Sequence, residues 1–207
     1  MQRPAISKNN GKYIFTGDYK SFFNTVVWRI KRVSDGKLGG WIRDEDNLSY
    51  YNGCWVADEA VVSDQAFVSE DAQVAGSCEV FDEARVQGKA IIRGNAQVID
   101  KSKVYGAVKV QGNASIGGKA LVSGKSRVAG DAIICGDAQV SGDACISDSA
   151  AICDFTKVSG NARIYDKAAI FDYAEVTDDA QVYGMAKIYG NAWICGRAKV
   201  YEEANIS

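Results

Sequence analysis

The chain has 207 residues and no histidine, and 24 Lys+Arg against 26 Asp+Glu leave a formal net charge of −2. The length suits one domain, or one with a small appendage, and an apolar fraction of 47% is that of a globular chain. The missing histidine excludes a Ser-His-Asp triad, a Cys-His pair, an imidazole base and a His-ligated zinc, and the balanced charge gives no bulk footprint for nucleic acid.

In chain order, Met1–Gly11 is polar and lacks the apolar core of an export signal, and no run approaches about 20 apolar residues. A cytoplasmic protein without a membrane segment is therefore expected. Lys12–Thr16 and Thr25–Val33 read as strands, with a turn at Ser34-Asp35-Gly36. Gly40–Ile42 and Ser49–Val56 read as two more. Residues 1–53 are expected to form a small β cap on the rest of the chain, because solenoid ends need covering. The alternative is a docking segment that presents Phe22, Phe23, Trp28, Trp41, Tyr50 and Tyr51.

From Cys54 onward the chain divides into six-residue units without insertion or deletion: CWVADE, AVVSDQ, AFVSED and so on to AKVYEE and a final ANIS. Every third position is Val or Ile, from Val56 to Ile206. The first position is alanine except at Cys54, Cys78, Ser102, Val108, Ser126 and Thr156. The fifth position of each full unit is Gly, Asp or Glu. A small, a variable and a β-branched residue alternate in–out–in, as in a strand, and Gly or Asp two places on supplies a corner with positive φ. Short strands joined by corners at constant spacing describe a parallel β-helix, three units to a triangular coil. The fold expected for 54–207 is thus an all-β solenoid of about eight coils, rising about 4.8 Å per coil. Burying one Val or Ile contributes about 1.5–3 kcal/mol before chain ordering is charged against it.

Residues 18 apart stack on one face. One face carries a long apolar outward stripe that includes Phe81, Ile99, Ile133, Cys135, Cys153, Phe171 and Tyr189. A stripe of that size points to an interface between copies of the chain, or to partial cover by the N-terminal segment. Another face carries a basic ladder, Lys109, Arg127, Arg163 and Lys199, beside an aromatic one, Tyr165, Tyr183 and Tyr201. It is either a candidate ligand face or a solvated surface with stacked rings. Cys135 and Cys153 are close enough to pair, but stacked thiols are expected in a reducing cytosol. The acidic corners at Asp148, Asp154, Asp166, Asp172 and Asp178 read as corner formers. The cysteine spacings match no metal pattern, so no metal site is assigned. The repeat stops mid-unit at Ser207, which suggests end-to-end packing through Val200 and Ile206.

The unit of small residue, x, Val/Ile and turn resembles the hexapeptide repeat of left-handed β-helix proteins. That resemblance, not the spacing, implies the left hand. The variants Val110-Gln111-Gly112-Asn113-Ala114 and Val140-Ser141-Gly142-Asp143-Ala144 are similar to those of the YdcK-like putative acyltransferases and related phage and prophage proteins. Leu38-Gly39-Gly40-Trp41-Ile42, Asn47-Leu48-Ser49 and Cys54-Trp55-Val56 resemble the lead-in of the phage members. The family implies side-by-side trimers with ligands in the clefts between subunits. Its acyltransferases use a histidine base, commonly with an ejected loop, and this chain has neither. No catalytic residue is assigned. The expected function is a non-enzymatic, rigid oligomeric scaffold that binds a host protein or a small molecule in inter-subunit clefts. The alternative is a YdcK-like acyltransferase that takes acyl-CoA and uses a non-histidine base. Nucleic-acid binding is disfavoured.

Overall fold

The computed structural model describes residues 11–207. The expectation that no export signal lies in Met1–Gly11 falls almost wholly outside them. Three parallel sheets wrap one continuous core as an all-β solenoid of about nine turns. From Trp55–Val56 to Asn205–Ile206 each repeat unit supplies one two-residue strand, and each strand pairs in register with those 18 residues before and after it. The outward backbone amides serve as rungs: Ile133 N–H donates to the Ala150 carbonyl and Cys135 N–H to that of Ile152, each at 2.9 Å. Face I is the sheet through Val61–Val62 and Asn205–Ile206. Face II runs from Phe67–Val68 to Trp193–Ile194, and face III from Trp55–Val56 to Lys199–Val200.

The interior follows the repeat. Inward Ala and Val/Ile side chains are fully buried from Ala60 to Ile188, and exposure returns only in the last coil, where Ala198 is exposed and Ile206 half-buried. All 25 fifth positions have positive φ, glycine in 14 and Asp or Glu in 11. A left-handed backbone favours glycine, and the acidic corners add a bond of their own. Asp154 accepts the amide N–H of Asp172, and Asp172 accepts that of Gly190. Asp148 and Asp166 form the same chain on another edge, ending on Gly184.

Three inward first positions carry hydroxyls. Ser102 Oγ donates to the Ile99 carbonyl and Ser126 Oγ to the Ser123 carbonyl, whereas Thr156 Oγ1 is buried with no partner. An unpaired buried hydroxyl costs about 1–3 kcal/mol. Thr156→Val keeps the shape and removes the hydroxyl, so it is expected to raise stability by about 1 kcal/mol, read from the urea midpoint.

The N-terminal segment extends face I. Strands β1 (Tyr13–Phe22) and β2 (Thr25–Arg32) form an antiparallel hairpin, and β3 (Leu38–Ile42) pairs antiparallel with β2 and parallel with Val61–Val62. β1 runs on past the expected end at Thr16, because a bulge over Thr16–Asp18, with Gly17 at φ +104, absorbs the turn signal there. Solenoid pairing already begins at β3 and continues through a bridge from Leu48 to Val68. Gly40 is required at the join, since a Cβ there would lie 2.6 Å from Val56 Cγ1 and from the Ala60 carbonyl. The expected strand over Ser49–Val56 shrinks to Trp55–Val56. Asn47 pins the preceding 3-10 turn (Glu45–Asn47), accepting from the amides of Arg43 and Asp44 and donating to the Asp64 and Ala66 carbonyls. Tyr50–Gly53 then form a longer corner, with Asn52 at φ +61.

The inward side chains Tyr13, Phe15, Trp28 and Ile30 join the same hydrophobic cluster as the first coil. On the outer side Glu59 fastens the hairpin. It accepts from Arg29 Nη1 at 2.6 Å and Trp41 Nε1 at 2.9 Å, with Lys20 Nζ at 3.4 Å. The bond from Arg29, then that from Trp41, lowers the Glu59 carboxyl to about 2. Because the folded value lies below the ordinary 4.5, the contribution to stability is complete above about pH 4.5 and is lost as pH falls towards 2. Glu59 is more than half exposed, so solvent screening limits the effect to about 1 kcal/mol. Glu59→Gln is expected to lower the melting temperature at pH 7 and to match the wild type near pH 2, as followed by circular dichroism.

Candidate binding faces

On face I the structure divides the apolar stripe in two. At its N-terminal end, Phe22 and Phe23 of the hairpin pack on Phe81, with ring centroids 5.9 and 5.5 Å away. Val61 is buried there with Val27 and Trp41. Below Phe81, Ile99 is half-buried, and Gly117 narrows the stripe to backbone. From the next rung the hairpin no longer covers the stripe: Ile133 is 47% exposed, Ala151 and Ala169 come next in register, and the half-buried Phe171 and Tyr189 rings stack at 5.4 Å. Cys135 and Cys153 lie between, half-buried.

These two cysteines correct the expectation of stacked thiols, because the structure joins them as a disulfide. In-register rungs set their Cα atoms 4.6 Å apart, within the range a disulfide spans. Cys54 and Cys78 are buried inward thiols, and burial pushes Cys78 up to about 11. Cys145 and Cys195 are half-buried and free. Among the described residues no group of three or more Cys, Asp or Glu side chains is placed to hold a metal ion, and no helix is long and apolar enough to cross a membrane.

On face III the second-position ladder runs in register through Lys109, Arg127, Cys145, Arg163, Gln181 and Lys199. Beside it, Tyr165, Tyr183 and Tyr201 form one stack, with centroid spacings of 4.9 and 5.3 Å. Burial, then the neighbouring Tyr183 hydroxyl, raises the Tyr165 phenol, so the ring stays neutral. The fourth position falls from Tyr165 to Ser147 and Ala129 on the rungs above. A groove of about 870 Å³ lies between Arg127 and Gln181, with Ser147 and Tyr165 on one side. Its far wall is the corner ladder Lys125, Asp143, Asn161 and Asp179, in which Asn161 Nδ2 donates to Asp179 Oδ1. The face was legible from the basic and tyrosine ladders, but the wall was not. The signal for it was present, since sixth-position residues 18 apart adjoin the second position of the next unit.

The other predicted features do not converge on a site. The acidic corners are spent on amide bonds between coils. Of the six N-terminal aromatics proposed as a docking surface, Trp28 and Trp41 are buried, Phe22 and Tyr50 half-buried, and only Phe23 and Tyr51 largely exposed. Compared with protein-family models and with curated proteins, the chain matches none.

Proposed function

We propose that this protein is a rigid, non-enzymatic scaffold that assembles with copies of itself through the open half of the face I stripe. The observation that carries the reading is the exposure of Ile133 above the Phe171–Tyr189 stack, on a sheet whose backbone is fixed rung by rung. An exposed aliphatic group in line with half-buried aromatic rings on a rigid surface gains by being covered. A second copy offers the same ladder at the same 18-residue spacing. The resemblance to left-handed hexapeptide proteins of phages and prophages favours a side-by-side trimer, with clefts between subunits open to a ligand. The cytoplasmic placement belongs to this reading.

Sedimentation velocity tests the proposal. The wild type is expected to run as a multiple of 22.3 kDa, and a monomer at micromolar concentration would overturn it. Titration with acetyl-CoA separates the alternative: saturable binding with acyl transfer would replace the scaffold by a YdcK-like acyltransferase.

A further inference from the structure

We infer that the groove on face III is a binding site for a single phosphate group, as free phosphate or a compact phosphomonoester, held between Arg127 and Arg163 over Cys145. The inference does not depend on the oligomer, since every residue it uses belongs to one face of one chain.

The charge pattern is the first argument. Lys109 and Arg127 are in-register neighbours, and like charges directly opposite one another destabilise a sheet. Among the described residues no carboxylate lies within salt-bridge distance of Lys109, Arg127, Arg163 or Lys199. Face II treats several of its cations differently. There Lys157 meets Glu175 at 2.9 Å, Lys101 meets Glu83 at 3.3 Å and Lys119 meets Asp137 at 4.0 Å, each pair one coil apart. Among the described residues Arg85 and Lys103 on face II are likewise in register without an ion pair, so what sets face III apart is that two such cations, the arginines Arg127 and Arg163, line one groove.

Shape is the second argument. Arg127 and Arg163 stand two rungs apart, about 9.6 Å along the axis, and the residue between them is the short Cys145. Two long side chains can close from both sides on an anion seated over that thiol. The planar guanidinium fork matches phosphate oxygens two at a time. Ser147 and Gln181 add neutral hydrogen-bonding groups to the same groove, and the uncovered side of Tyr165 faces the Ser147 rung. The carboxylates Asp143 and Asp179 set the size limit. They would repel a polyanion running along the ladder, and they could accept hydrogen bonds from the hydroxyls of a compact ester.

Cys145 reports on the site, and Cys195 on face II is a matched reference, since both are free and half-buried. Alkylation by iodoacetamide is followed at each thiol by peptide mass spectrometry, with orthophosphate replacing chloride at constant ionic strength. Orthophosphate is expected to slow Cys145 several-fold in a saturable way and to leave Cys195 unchanged. Glycerol 3-phosphate in a parallel series identifies an ester or the free ion as the tighter ligand. Arg127→Gln with Arg163→Gln, both at exposed outward positions, should abolish the protection while the circular dichroism spectrum is kept. Equal slowing of both thiols, no slowing at Cys145, or protection that survives the double substitution would overturn the inference.

Discussion

Ile134→Asp is expected to abolish the folded solenoid, and Ile134→Ala to lower its stability by about 2–5 kcal/mol. Ile134 is fully buried and lies in register between Ile116 and Ile152. Its cavity cannot collapse easily, because the neighbouring rungs are held at fixed spacing by amide bonds such as Cys135 N–H to the Ile152 carbonyl. The cost of alanine should therefore fall towards the upper part of that range. Aspartate would place a carboxylate among Val and Ile side chains with no donor in reach, and an unpaired buried charge costs more than a marginally stable fold can absorb. Urea unfolding followed by circular dichroism measures the first variant, and the recovery of soluble folded protein measures the second. An Ile134→Asp chain that melts like the wild type would mean that the third position does not face inward.

The residue before it should behave in the opposite way. Ile133→Asp is expected to leave the melting temperature nearly unchanged and to reduce the sedimenting species to the monomer. Ile133 occupies the same rung but points outward onto the stripe, where it is 47% exposed. A charge there is solvated in the monomer, yet it would have to be desolvated against an apolar ladder in the assembly, which costs several kcal/mol per buried ion. Phe171→Asp should act alike through the Phe171–Tyr189 stack. Gln139→Asp, exposed on face II, is the control and should keep the native mass. If Ile133→Asp and Phe171→Asp both retain the wild-type mass, the stripe is not the interface. If Ile133→Asp unfolds, the division into inward and outward positions fails instead.

The solenoid was legible because its physics is local and repeated. A small inward residue, an inward Val or Ile and a corner tolerant of positive φ recur in one register, so an error at one unit is corrected by the next. The N-terminal segment offers no such redundancy. Gly17-Asp18 looks like a turn and is a bulge, and the two-residue lengthening of the corner after Asn47 hides the fact that Gly40-Trp41-Ile42 already has the form of the repeat. The packing of Phe22 and Phe23 on Phe81 joins residues nearly 60 apart, and nothing in the local sequence announces it. For the cysteines, the ladder fixed proximity. Whether the pair is joined depends on redox chemistry that spacing does not encode. The face III groove lay between these cases. Its basic and aromatic ladders could be read, while the corner residues that wall it, such as Asp143 and Asn161, were not.

The in-register pairing at 18 residues gives each surface of the prism a phase. Duplicating or removing 18 residues anywhere in the repeat would change the height by about 4.8 Å and leave every downstream side chain on its own face. Removing six would leave the interior equally well packed, yet it would turn everything beyond the cut by a third of a revolution. The apolar stripe below the cut would then continue onto a different side of the molecule. Core stability is blind to this change, and only the outward pattern records it. What the chain must conserve for its surfaces to work is thus its length modulo 18, a constraint independent of the identity of any single residue.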